Sequence, residues 1–338
     1  MRKKFYAAKN STDNIRLKSS SGGVFLAVAN YIINNNGYVY GAVYNSDFEV
    51  VHIRGEKVSD IYMMTGSKYS KSDIGSIFKN VEDDLKSNKK VLFTGTPCQI
   101  SALKKYLKND YEKLITIDVV CHGTPEKKYL KDYLLFQEKK YHSKIKSINM
   151  RYKSEKEYNK NLNSKHTPMG NVEPHVMMIE FENGKKYQQK SDFDIYYQLF
   201  DYFISGGCFK CPFSNLNRLG DITIGDFHEF SSKLGDFNDG NGVSLLIVNT
   251  KKGEEMIKSI DKELILIEKS ETECLQPAIQ EPAHIPNNRD CFIDDYKNFG
   301  FEYVTKKYGK NGIKYNIKYF LNNIGILDKL KKIRRGIR

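Results

Sequence analysis

At 338 residues the chain is long enough to bury a substantial core without disulfides, as one large domain or two smaller ones. Its 54 Lys and Arg against 41 Asp and Glu leave a formal charge of +13, which invites a nucleic-acid or membrane partner, yet part of the excess is local to Lys329–Arg338 and the rest is dispersed lysine of a solvated surface. No stretch is apolar enough to span a bilayer, and the basic residues before Asn14 have no apolar run behind them. A signal peptide is therefore not expected, and the chain reads as cytoplasmic with reduced cysteines.

In chain order, Ser19 to Gly23 opens an apolar stretch, Val24 to Ile33, in which Val24, Val28 and Ile32 recur at helical spacing. Tyr38–Tyr44 and Glu49–Ile53 read as a strand hairpin around Asn45-Ser46-Asp47. Ile74–Leu85 reads as a helix. An alternation follows: strand Val91–Phe93, helix Pro97–Leu107, strand Leu114–Val120 and helix Pro125–Lys139. That order implies parallel strands joined by crossover helices. From Lys144 the pattern changes to strands Ile145–Tyr152 and Val176–Phe181 around a polar loop, Lys153–Glu173, followed by a helix at Asp192–Ile204. Asp221–Ile224 and Val243–Val248 are strands, the second a continuous apolar run suited to a sheet interior. Ile313–Ile337 reads as a basic amphipathic helix. The expected fold is α/β merging into α+β, a mixed sheet with crossover helices, with residues 1–290 as one body and 291–338 as a basic helical tail.

Four of the six cysteines fall at turns where an element stops, the placement a soft metal centre needs. In Thr94-Gly95-Thr96-Pro97-Cys98-Gln99, Thr96 is a natural N-cap, Pro97 suits the first helical position and Gln99 completes a capping box. Cys98 then lies in a first helical turn, where free N–H groups and the helix dipole favour a thiolate, although a lone cysteine there is as readily a small packing residue. Cys121-His122-Gly123-Thr124-Pro125 repeats the design after the next strand, so two parallel strands deliver cysteines to their carboxyl ends, the edge at which open α/β sheets bind ligands. Cys208-Phe209-Lys210-Cys211 has a spacing open to zinc, iron–sulfur or a redox dithiol. A Cys₄ zinc site usually offers a second such pair, and a redox dithiol usually begins a helix, whereas Pro212 leads into polar Ser214–Asn217. Two single cysteines plus one pair suit a 4Fe-4S cube, with zinc and a purely structural role left open. Cys274 and Cys291 lack such a setting.

The Ser19–Gly23 turn offers N–H groups and hydroxyls of the kind that hold phosphates, and Gly66-Ser67-Lys68-Tyr69 supplies a turn, a cation and an aromatic face; each is equally a plain polar turn on local grounds. His122 and Asp226 are candidate proton donors or relays, and either can be a simple turn residue.

Taken in order, Ser19–Phe25, Gly66–Tyr69, Gly95–Gln99, Cys121–Pro125 and the Cys208/Cys211 pair followed by Gly220-Asp-Ile-Thr-Ile-Gly-Asp-Phe227 resemble the beta subunit family of coenzyme F420 hydrogenases and dehydrogenases with its bacterial relatives. The resemblance runs from about Ser19 to Thr250. It implies a flavoprotein that binds FAD and a 4Fe-4S cluster, with Cys98, Cys121, Cys208 and Cys211 as cluster ligands and Ser21, Gly22, Gly23, Lys68 and Tyr69 at the flavin. Lys68, His122 and Asp226 are the candidate catalytic side chains. Many relatives carry a cysteine-rich ferredoxin-like segment first, whereas residues 1–18 here contain no cysteine, so the expected electron partner is a separate ferredoxin-like protein. The other partner is a small-molecule substrate or hydride carrier, deazaflavin or nicotinamide. Bacterial relatives often occur beside polysaccharide-building enzymes, which suggests that context.

The competing expectations are a zinc-stabilised nucleic-acid binder and a redox-inactive scaffold. No nucleic-acid partner is expected, because the basic residues do not gather around the cysteines with aromatic stacking positions. The C-terminal segment is a candidate contact for an anionic membrane or an acidic partner.

Overall fold

The computed structural model describes residues 2–155, 175–229, 234–310 and 312–327. In chain order the elements are β1 (Lys4–Asn10), α1 (Asp13–Leu17), α2 (Val24–Asn34), β2 (Tyr38–Tyr44), β3 (Val50–Gly55), α3 (Val58–Met64), α4 (Ile77–Lys86), β4 (Val91–Gly95), α5 (Pro97–Leu107), β5 (Leu114–Val119) and α6 (Lys127–Tyr141). There follow β6 (Ile145–Asn149), β7 (Val176–Phe181), β8 (Lys186–Lys190), α7 (Ile195–Phe203), β9 (Ile222–Asp226), β10 (Ser244–Val248), α8 (Lys251–Ser259), β11 (Leu264–Lys269), α9 (Glu271–Cys274), α10 (Arg289–Tyr308) and α11 (Ile313–Asn323).

Eight strands form one mixed sheet in the order β11-β1-β10-β9-β5-β4-β2-β3, and β6, β7 and β8 form a second, antiparallel one. Within the large sheet β2, β4, β5 and β9 run parallel, while β3 on one side and β10, β1 and β11 on the other pair antiparallel. This is the mixed α/β architecture expected from the strand–helix alternation. Several elements lie outside that expectation. β1 carries Ala7 and Ala8, both fully buried but poor strand formers, and it is held as a strand by pairing on both sides, with β10 and with β11. β8 has Tyr187 as its single large apolar residue, and α8 contains Gly253, so neither announces itself by pattern. β11 is an apolar Leu-Ile-Leu-Ile run that closes the far edge beside β1.

The core has two large parts. Beneath the big sheet, Leu26, Val28 and Ile32 of α2 pack with Val39, Leu92, Ile117, Ile222 and Leu246. Around the small sheet the core is aromatic: Tyr129, Tyr133, Tyr196, Phe203, Phe292 and Phe301 are buried together. The hydroxyls there have partners, since Tyr133 and Tyr187 each donate to Asp194 at 2.8 Å and Asp194 also accepts from the Tyr196 N–H at 2.8 Å as the N-cap of α7.

The boundary expected at residues 290 and 291 falls inside α10, which breaks at Gly300 (φ 80°) and buries Phe292, Phe301 and Val304 in the aromatic core. α11 follows as a separate helix. Most of the expected Lys153–Glu173 loop (156–173) and the basic cluster at 329–338 lie outside the described residues. Among the described residues, no helix is long and apolar enough to cross a membrane.

Candidate functional site

Because β2, β4, β5 and β9 are parallel, their carboxyl ends reach one edge of the sheet; the turns after β4 and β5 carry Cys98 and Cys121, and Asp226 ends β9. β4 ends at Gly95, and α5 starts with the expected cap: the Thr96 N–H donates to Gln99 Oε1 at 2.9 Å. Cys98 is the second residue of α5, exposed, with its sulfur 3.0 Å from Thr96 Oγ1. β5 ends at Val119, and Cys121 follows two residues later in the turn.

The third loop arrives from α7. Its Ile204 bridges to Pro125, and the Ser205 N–H donates to the Thr124 carbonyl at 3.0 Å, which lays a short 3₁₀ turn, Gly206–Lys210, beside the Cys121 loop. Gly123 permits that approach. Its φ of +138° is one few side chains adopt, and a Cβ there would lie 3.0 Å from Ile204 Cγ2 and 3.4 Å from the Cys208 Cβ. Arg289, the first residue of α10, closes the turn from the other side, donating to the Ile204 carbonyl at 2.8 Å with its guanidinium over the Phe209 ring. Downstream of Cys211, Arg218 forms a fully buried ion pair with Asp118 of β5, and Asp118 also accepts the Gly220 N–H at 2.8 Å. The segment after Cys211 is thus tied to the strand that delivers Cys121.

These links bring the predicted cysteines into one neighbourhood. Burial pushes the Cys121 thiol up to about 12, and the nearby Cys98, Cys208 and Cys211 add to the rise by charge repulsion. All six cysteines are free thiols. Among the described residues no three His, Cys, Asp or Glu side chains are grouped closely enough to hold an ion as they stand. Cys274 packs with Phe5 and Leu245 in a separate small core, and Cys291 is exposed on α10.

The two Ser/Gly turns also meet. The Ser67 N–H donates to Ser20 Oγ at 2.8 Å, and the two hydroxyls lie 3.1 Å apart. Gly22 lies against β1 and β10, where a Cβ would come within 2.3 Å of the Ala8 carbonyl oxygen, and its N–H donates to Ser244 Oγ at 2.9 Å. Gly23, at φ 91°, precedes α2. Ser21 donates to the Val243 carbonyl at 2.9 Å. Between the turns is a cleft of about 130 Å³ lined by Ser19, Ser20, Ser67, Lys68, Tyr44 and Arg151 among others. Lys68 is half-buried there, and the loss of hydration lowers its pKa to about 7; its amine donates to the carbonyls of Met64, Thr65 and Gly66 at 3.4, 2.8 and 3.1 Å.

The residues sequence reasoning missed are Arg151, Lys153 and His175. Arg151 makes a two-pronged pair with Asp226 (2.7 and 3.1 Å) at the end of β9 and also donates to the Ser20 carbonyl and to Tyr69 Oη. Burial raises the Asp226 carboxyl, but the Arg151 charge and hydrogen bonds outweigh it and hold the group below the usual carboxylate range. Tyr69 stacks on His175 at 5.7 Å, and burial together with Arg151 lowers the His175 pKa to about 3. Lys153 donates to the carbonyls of Arg16, Ser21 and Asn241 at 2.7–3.0 Å, bracing the Ser19–Gly23 turn. The one sequence hint was a pair of cations two residues apart at the end of a strand. His122, by contrast, is exposed and lies 3.1 Å from Asp201.

A mixed sheet whose carboxyl edge collects free thiols next to a Ser-, Lys- and Arg-lined cleft defines an α/β protein with a ligand-type sheet edge. The family model for the C-terminal part of the coenzyme F420 hydrogenase/dehydrogenase beta chain matches residues 88–273, more than half of the sequence, and the protein belongs to that family. Its class is accordingly a hydrogenase/dehydrogenase-type oxidoreductase subunit. The fold is similar to that of a chain in the structure titled xenon derivatization of the F420-reducing NiFe hydrogenase complex from Methanosarcina barkeri, at 16% identity and a TM-score of 0.53, covering 88% of this chain and 93% of that one. No curated protein matches the chain.

Proposed function

We propose that this protein relays electrons between a ferredoxin-like protein and a hydride carrier or small-molecule substrate, with Cys98, Cys121, Cys208 and Cys211 holding a 4Fe-4S cluster and the turns at Ser19–Gly23 and Gly66–Tyr69 holding FAD. The observation that carries the reading is the convergence on Cys121 of three thiols from two distant loops. Thiols whose charges repel one another ionise together only when cations share them, and an all-thiol set from irregular spacing suits iron–sulfur better than harder metals. When bound, the two groups supply one-electron transfer and a switch between one- and two-electron steps.

The chain's own residues have distinct tasks in this reading. Gly123 and the Asp118–Arg218 pair fix the spacing of the cysteine loops. Ser20, Ser67, Lys68 and Arg151 offer hydroxyl and cationic donors suited to a phosphate. At about 130 Å³ the cleft suits the phosphate portion of a dinucleotide and is smaller than the ~300–1,000 Å³ of pockets that enclose whole ligands. Tyr69 and Arg151 hold protons at defined atoms beside that cleft, with Asp226 as the ionised acceptor that orients Arg151. A polysaccharide-related pathway is the proposed setting.

The test is iron, acid-labile sulfide, zinc and flavin content of anaerobically purified full-length protein, with absorption spectra before and after reduction. The expected result is about four irons and one flavin per chain, with Cys121→Ser losing iron while flavin stays. Zinc without iron or flavin would reject the proposal, and a folded protein holding neither group would favour the scaffold.

A further inference from the structure

We infer that α11 docks the protein on an anionic lipid surface through the helix face it turns away from the body. At 100° per residue, Ile313, Ile317, Phe320 and the capping residue Ile324 just past the helix end fall within an arc of roughly 60°. They are 80%, 54%, 62% and 48% exposed, which makes an unbroken apolar stripe in water. The opposite side of the same helix is the one that holds it to the protein. Tyr315 and Tyr319 pack on Phe193 at 5.7 and 5.9 Å, the Tyr315 hydroxyl pairs with Gln198 at 2.7 Å, and Asn322 donates to Gln189 at 2.9 Å. The helix therefore has two apolar sides and uses one.

Charge indicates what covers the other. Lys314 and Lys318 are exposed on one flank of the helix, between the stripe and the packed side, and residues 312–338 together contain eight Lys or Arg against a single acidic residue, Asp328. An apolar helix face accompanied by cations and almost no acids suits a surface of spread negative charge, with the side chains inserted among lipid tails and the cations at the headgroups. A protein partner is the less fitting occupant. Stable interfaces cover about 800 Å² on each side, more than four side chains of one short helix present. The inference stands apart from the cofactor reading and survives if that reading fails.

The test is flotation of the full chain with vesicles of phosphatidylcholine alone and of phosphatidylcholine with phosphatidylglycerol. The expected result is binding to the mixed vesicles only, weakened by salt, with Ile317→Asp/Phe320→Asp lowering the partition at least about tenfold while the melting temperature stays unchanged. Lys314→Gln/Lys318→Gln is expected to weaken binding less. Absence of binding to mixed vesicles, or equal binding by the Ile317/Phe320 variant, overturns the inference. A change in oligomeric state of that variant without any vesicle binding would assign the stripe to a protein contact and overturn it as well.

Discussion

Asp226 at the end of β9 is held by a two-pronged ion pair with Arg151. Arg151, Tyr69 and His175 come from three separate segments, and no local pattern foretells that an arginine at a strand end will meet an aspartate 75 positions later. The His175 ring carries a measurable consequence. Its pKa is lowered to about 3 from 6.5, so the neutral ring's contribution to stability is complete above pH 6.5 and is lost as pH falls toward 3. Asp226, also lowered, adds its own loss below the ordinary carboxylate value of 3.8. Acid unfolding should therefore begin well above the carboxylate range. Replacing His175 by Gln should remove roughly 2 kcal/mol of the stability drop between about pH 6.5 and 5, read from urea melts at the two pH values; an unchanged drop would mean that the folded ring takes up its proton as readily as the unfolded one.

Among the elements, those with strong local chemistry were legible. Helix α5 begins at Pro97 and ends at Leu107 as its capping box and proline foretell, and β2 and β7 match their β-branched and aromatic runs residue for residue. The Cys98 and Cys121 turns were legible because each follows a strand that the pattern identifies, and the Cys208 turn because a glycine pair ends the helix before it. β1 was not, since Ala7 and Ala8 gain their strand character from neighbours hundreds of residues away. The meeting of the Cys121 and Cys208 loops was likewise hidden, resting on the Ile204–Pro125 bridge and on a glycine without a side chain. Gly123→Ala tests that contact. The new methyl would stand 3.0 Å from Ile204 at a backbone angle of +138°, so a destabilisation of about 1–3 kcal/mol is expected together with lowered iron content after anaerobic purification. Ile204→Ala in the same background relieves the contact but not the backbone strain; if it restored both measurements fully, sterics alone would be responsible.

For the whole molecule, the family match and the sheet do not coincide. Residues 88–273 contain β10 and β11, but the strand between them is β1. Expressed alone, that segment would have a missing rung in its main sheet and would also lack α2, whose Leu26, Val28 and Ile32 fill the core beneath it. It should show no cooperative thermal transition and should bind hydrophobic dyes; a sharp two-state melt resembling that of the full chain would refute this.

The same wedged strand governs how the polypeptide can be made. Lys4 pairs with Val248 and Asn10 with Leu264, so this segment leaves the ribosome long before its partners are made. At about 5–20 residues per second the intervening stretch takes roughly 12–50 s to synthesise. Contacts of such long sequence separation slow folding by the entropy of closing the loop. During translation both backbone edges of the nascent strand stay unsatisfied, a natural substrate for chaperones.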